Sequence, residues 1–230
     1  CGGGLGDASK RIMGSKRAAI TQPMVVGIDV GGPKKGLHAV ALRGGQYHDK
    51  LATCKVDEMV RWCRALGATV IAIDAPCGWS TDGKGRPAEQ ELMKEKIWCF
   101  SSPLRSKAID HPTNNYGWML FGEELYRALK GTHPVTTVWP PVLERYCFET
   151  FPHAITWHLR GGNATARNKR VQRTQALEAM GVSTEALTNI DLLDAALCAL
   201  TAHLAMTNTS LLKFGEGVTG FIMVPPMRRA

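Results

Sequence analysis

Short continuous apolar runs alternate along this chain with stretches in which apolar residues return every three or four positions. The run over 24–30 is rich in β-branched residues, carries Asp29 near its end and leads into Gly31-Gly32. That is the pattern of a buried strand entering a turn. Two more strands are predicted over 36–43 and 46–53, with Gly44-Gly45 between them as a hairpin signal. Apolar residues at 56, 59, 60, 63 and 66 have helical spacing, and Gly67 stops that helix. The run over 69–74 is a second buried strand that closes on an acid, Asp74. A glycine-bearing loop over 75–87 leads to a polar helix over 88–97, a loop over 101–115 and a helix over 117–129. The strand predicted over 146–151 is stopped by Pro152, and helices follow near 153–159 and 168–180. The Ala- and Leu-rich stretch over 191–206 is the strongest helix signal, and 220–224 suits a closing strand.

Three strands, a helix, a strand, helices, a strand and more helices make an α/β order. The first three strands should be antiparallel and the later ones parallel, which gives a mixed sheet. Residues 1–23 lack apolar periodicity and read as a flexible basic tail, leaving 24–230 as one domain.

Composition narrows the class. A chain of 230 residues with 44% apolar content can bury one sizeable core. The net charge of +8 favours anionic partners such as nucleic acid. The tail contributes +3 of it (Lys10, Arg11, Lys16 and Arg17 against Asp7), so the remainder still carries +5. The seven cysteines are widely spaced with no C-x-x-C, which argues against a disulfide framework or a zinc ribbon and fits a reducing, cytoplasmic setting. The longest apolar run, over 192–206, is interrupted by Asp194, Thr201 and His203 and is too short to span a membrane.

The acids carry the candidate chemistry. Asp29 and Asp74 end two apolar strands, where a carboxylate is held rigidly at the sheet edge. If those strands are neighbours, the two carboxylates repel, and a divalent cation resolves the conflict. Glu149 lies inside an apolar strand-like run and needs a partner if buried. Asp191 and Asp194 open the apolar helix at (i, i+3) spacing. Asp191 suits a helix cap as well as a metal ligand, whereas capping explains Asp194 less well. Acids from several elements converging on one site are how two-metal phosphoryl-transfer centres are built, with Mg2+ or Mn2+ as the ions. Among the bases, Arg167, Lys169, Arg170 and Arg173 cluster at a helix start and suit phosphate contacts. Lys34 after the first strand and Arg105 in the central loop are further candidates for substrate binding.

The segments Val26-Gly-Ile-Asp-Val30, Ile73-Asp-Ala-Pro76, Phe148-Glu-Thr-Phe-Pro152, Asp191-Leu-Leu-Asp-Ala-Ala-Leu-Cys-Ala199 and Gly220-Phe-Ile-Met-Val-Pro225 occur in this order. Together they resemble the domain of unknown function 429 family, predicted nucleases with an RNase H-like fold, over roughly residues 24–226. The resemblance implies a mixed five-stranded sheet flanked by helices, with helical insertions. It also implies Asp29, Asp74, Glu149 and Asp194 as metal-binding, catalytic acids and Lys169 as a substrate-contacting base.

The reading that follows is a metal-dependent nuclease hydrolysing phosphodiester bonds of DNA or RNA. Two alternatives stand beside it. One is a non-catalytic nucleic-acid or partner-binding protein on the same fold, in which some acids would be salt-bridged to Arg or Lys. The other is a nucleotide-binding protein of the sugar kinase and actin-like kind, suggested by Gly27-Ile-Asp-Val-Gly-Gly32. That reading calls for a second glycine-rich phosphate loop, which Ile73-Asp-Ala-Pro76 does not supply.

Overall fold

The computed structural model describes residues 22–207 and 210–228. The expected tail over 1–23 lies outside the described residues apart from Gln22 and Pro23.

Strand β1 (Met24–Val30) is buried along its whole length because helices cover both sheet faces. It pairs antiparallel with β2 (Leu37–Arg43), which pairs antiparallel with the edge strand β3 (Gln46–Thr53). The β2–β3 hairpin turns on Gly44 and Gly45, with φ of +57° and +84°, conformations that favour glycine at both turn positions. Helix α1 (Val56–Ala65) then crosses over to β4 (Val70–Asp74), which runs parallel to β1 with Asp29 directly opposite Asp74.

Three helices intervene before the sheet resumes: α2 (Pro87–Lys94), α3 (Arg105–Ile109) and α4 (Gly117–Leu129). Helix α3 falls in the stretch read as a loop, where five residues are too few for a visible period. Strand β5 (Tyr146–Glu149) lies parallel to β4, and helices α5 (Pro152–Leu159), α6 (Lys169–Glu178) and α7 (Ile190–Met206) follow. The chain ends in a hairpin of β6 (Leu212–Glu216) and β7 (Gly220–Val224), with β7 parallel to β5.

The sheet order is β3-β2-β1-β4-β5-β7-β6. Its first five strands, three antiparallel and two parallel to the first, have the RNase H-like arrangement. The sheet has seven strands rather than the five expected. Strand β6 escapes sequence reading because it is an edge strand, exposed at Leu212 and Lys213 and buried only at Phe214.

Helix α7 lies across β1, β2 and β4 on one face, while α1 and α4 cover the other. Gly27 sets the closeness of that packing. A side-chain carbon there would overlap the Ala195 carbonyl oxygen and the Ala199 amide of α7. The absent side chain lets helix backbone rest on strand backbone, which brings Asp194, the residue before Ala195, down onto the carboxyl end of β1.

Candidate functional site

Strand alternation puts Asp29 and Asp74 on the α7 face of the sheet, side by side on adjacent parallel strands. Tyr126 of α4 steadies the end of β4 from the other face by donating to the Ala75 carbonyl at 2.9 Å. The two carboxyls come from directly paired positions, and two such groups side by side in a largely desolvated place do not both ionise freely. Burial first, then the charge of Asp191, pushes Asp29 up to about 7, against the opposing pull of Lys35 and Arg173. Asp74 is raised by burial and by the neighbouring charges of Asp29 and Asp194.

Helix α7 delivers the other two aspartates. Its cap is Asn189, whose side chain accepts from the Leu192 amide at 2.8 Å. Asp191 is thereby released from the capping role that sequence reading offered it. Instead it receives the Lys35 ammonium at 2.8 Å. Asp194 sits one turn further along, 7% exposed, with Arg173 of α6 donating to its Oδ2 at 2.5 Å. Burial pushes Asp194 up to about 8, with Arg173 drawing it down and Asp29 adding to the rise. Its Oδ1 also lies in ion-pair contact with the Arg173 guanidinium, so one arginine serves both oxygens of this carboxylate.

Glu149 does not join this cluster. It pairs in register with Ile73, one position before Asp74, so its side chain leaves the opposite face of the sheet. Both of its oxygens are taken by Arg86, at 2.6 and 2.8 Å, and the Cys77 amide adds a bond at 2.8 Å. Arg86 is 1% exposed and also donates through Nε to Glu89 at 2.9 Å. Glu89 in turn accepts from the Arg86 and Ser102 amides, at 2.9 and 2.8 Å. The expected fourth ligand is therefore a member of a closed structural network.

The bases divide in the same way. Arg173 and Lys169 both act on Asp194, the first by direct contact and the second through its charge. Arg105 is bound bidentately by Glu123 at 2.7 and 3.0 Å. Lys34 and Arg167 are exposed, and it is Lys35, the residue after Lys34, that reaches the acids. The glycine turn after β1 does not offer a phosphate loop: the Gly31 amide is spent on Gly36 O at 2.9 Å, the Gly36 amide on Gly32 O at 2.7 Å, and Trp118 packs over Gly32.

Arg86 and Glu89 had a sequence signal, an (i, i+3) pair of opposite charge flanking Pro87 at a helix start. The partnership of Arg86 with Glu149 had none, being 63 residues long-range.

Among the described residues no group of three or more His, Cys, Asp or Glu side chains stands ready to ligate a metal. Arg173 and Lys35 supply the counter-charge instead. The donor set nonetheless fits a divalent cation: hard carboxylate oxygens around an aspartate pair whose charges conflict. No helix among the described residues is long and apolar enough to cross a membrane.

Residues 27–216 match the family described as "Protein of unknown function (DUF429)", and the chain belongs to that family. Two solved structures of Thermus thermophilus RuvC, one of them in complex with Holliday junction substrate, are similar to it. Each is 14% identical, with a TM-score of 0.42, covering 81% of this chain and 97% of that one. No curated protein matches the sequence significantly.

Proposed function

We propose that this DUF429 protein is a metal-dependent phosphodiesterase acting on nucleic acid, with Asp29, Asp74, Asp191 and Asp194 as its acidic centre. The observation that carries the reading is the in-register pairing of Asp29 with Asp74 beneath the aspartates of α7. Three acids with raised pKa values at one sheet edge, two buried and one partly buried, are costly for a fold that gains nothing from them.

In this reading Asp29, Asp74 and Asp194 hold Mg2+ or Mn2+ once deprotonated, with Asp191 beside them. A bound divalent ion supplies Lewis acidity and an activated water near neutral pH. Arg173 and Lys35 balance the acids when the site is empty of cations. With substrate present they turn their donors toward the phosphate, for which a guanidinium is well shaped. Lys169, exposed on the first turn of α6, contacts the flanking backbone.

The test is cleavage of single-stranded, duplex, hybrid and branched nucleic acids with Mg2+, Mn2+ or chelator. Metal-dependent cleavage by the wild type that disappears in Asp29→Asn and Asp74→Asn is the expected result. Cleavage indifferent to chelator and to both substitutions removes the proposal.

One observation favours a second reading, a nucleic-acid binder without catalysis. Arg173 on Asp194 and Lys35 on Asp191 are the internal salt bridges that such a protein would keep. Calorimetric titration with Mn2+ separates the two, because a purely structural cluster takes up no ion.

A further inference from the structure

Beside the aspartates runs a groove of about 710 Å³, within the size range of sites that take small ligands. Its aromatic lining includes Trp98, Phe100 and Trp157, and its charged lining is Lys96, Lys169 and Arg173, with no acid. Trp98 is 72% and Phe100 75% exposed, the reverse of what packing alone would select for such side chains.

These two aromatics are displayed rather than loose. Lys96 ends the α2 segment with a left-handed φ of +64°. Ile97, fully buried, pins one side of the aromatic segment. Ser102, also fully buried, pins the other through bonds to Glu89 from its amide and its hydroxyl. Phe100 meets Trp118 edge to face at 6.2 Å, and Trp118 rests on the turn that follows Asp29. Phe100 also lines the small crevice between Asp74 and the Arg86–Glu149 pair, so the aromatic wall of the groove reaches as far as Asp74. At the other end Arg173 belongs to the groove and to Asp194 together.

We infer that this groove receives the unpaired nucleotides of single-stranded DNA or RNA, with bases stacked on Trp98 and Phe100 and phosphates against Lys96, Lys169 and Arg173. Exposed aromatic faces serve bases only where the bases are unstacked, because a duplex offers its grooves and backbone instead. Cationic walls without an acid suit a polyanion and disfavour an apolar peptide as occupant. The inference rests on the nucleic-acid reading above and adds the strand state of the substrate.

The experiment is fluorescence anisotropy with short labelled single-stranded DNA, single-stranded RNA and the matching duplexes, in chelator so that nothing is cut. The wild type should bind the single strands at least about tenfold more tightly than the duplexes, the scale of one stacked base. Trp98→Ala and Phe100→Ala should each weaken single-strand binding by about tenfold and leave duplex binding and the melting temperature unchanged. Trp98→Phe should retain most of the affinity. The DNA and RNA arms show which polymer the groove prefers. Equal binding of single strands and duplexes, or alanine variants with wild-type affinity, overturns the inference. The wild type with metal restored carries the separate question: single-strand binding without any metal-dependent cleavage leaves the groove standing and removes the phosphodiesterase, whereas Asp29→Asn that binds as tightly as a cleaving wild type and does not cleave supports both.

Discussion

Two buried acidic regions flank the carboxyl ends of the central strands, and they solve the problem of buried charge differently. On one face Glu149 and Glu89 surround Arg86, and the guanidinium is satisfied by both carboxylates and the Thr219 carbonyl. Burial alone would lower the pKa of Arg86, and the two glutamates outweigh it and hold the group charged. On the other face Asp29 and Asp74 occupy paired positions, Asp194 joins them, and the counter-charges come only from Arg173 and the exposed Lys35. The first region is closed, whereas the second has spare acceptor capacity and excess negative charge. A buried acid therefore points to chemistry only when its neighbours leave it unsatisfied.

The largest effect expected from breaking this contrast falls on the closed network. Arg86→Ala strands two buried carboxylates and should cost about 3–5 kcal/mol in urea unfolding. A smaller loss would mean that water enters the network readily. Gly27→Ala should come next, at about 1–3 kcal/mol, because the helix backbone above it has to move. The same substitution should weaken Mn2+ binding by lifting Asp194 away from Asp29, while Arg86→Met or other changes on the far face should not.

The open cluster should respond in the opposite direction. Folded-state pKa values of about 7 for Asp29 and about 8 for Asp194 lie above the ordinary carboxylate value near 3.8. Stability from these protons is complete below the unfolded value and is lost as pH rises through 7 and 8. Metal-free protein should therefore melt at lower temperature at pH 8.5 than at pH 5.5, and Mn2+ should restore the difference. Asp29→Asn should flatten the profile and stabilise the metal-free protein by about 1–2 kcal/mol at pH 8. A pH-independent melting temperature in the wild type would show that Arg173 and Lys35 neutralise the cluster fully. The smallest effect is expected outside both regions. Lys96→Gly relieves a left-handed backbone and should add up to about 1 kcal/mol, with a modest loss of oligonucleotide binding.

Much of the fold was legible in one dimension. The strands over 24–30 and 46–53 and the helix over 117–129 match the observed elements at both ends, since buried runs and amphipathic periods are local signals. Strand β6 was not legible, because an edge strand with one buried residue has no period to read. In the candidate site, Asp29, Asp74 and Asp194 stood out as acids in apolar surroundings, and Glu149 stood out for the same reason. Nothing local distinguishes them: each is a carboxylate following an apolar residue. The exposure of Trp98 and Phe100 was not legible, since sequence does not say which way a ring faces.

The sequence by itself determined the element types, the acids at the strand ends and the excess of positive charge, because these depend on neighbours a few residues away. Tertiary structure alone decided that Asp29 lies opposite Asp74, that α7 settles on Gly27 and brings Asp194 with it, and that Glu149 turns to the far face to meet Arg86. Strand register explains the difference. A shift of one position exchanges the two faces of a sheet, and register is set by pairings between segments distant in the chain. Asp74 and Glu149 sit one register position apart, and that single step separates the open acidic cluster from the closed structural network.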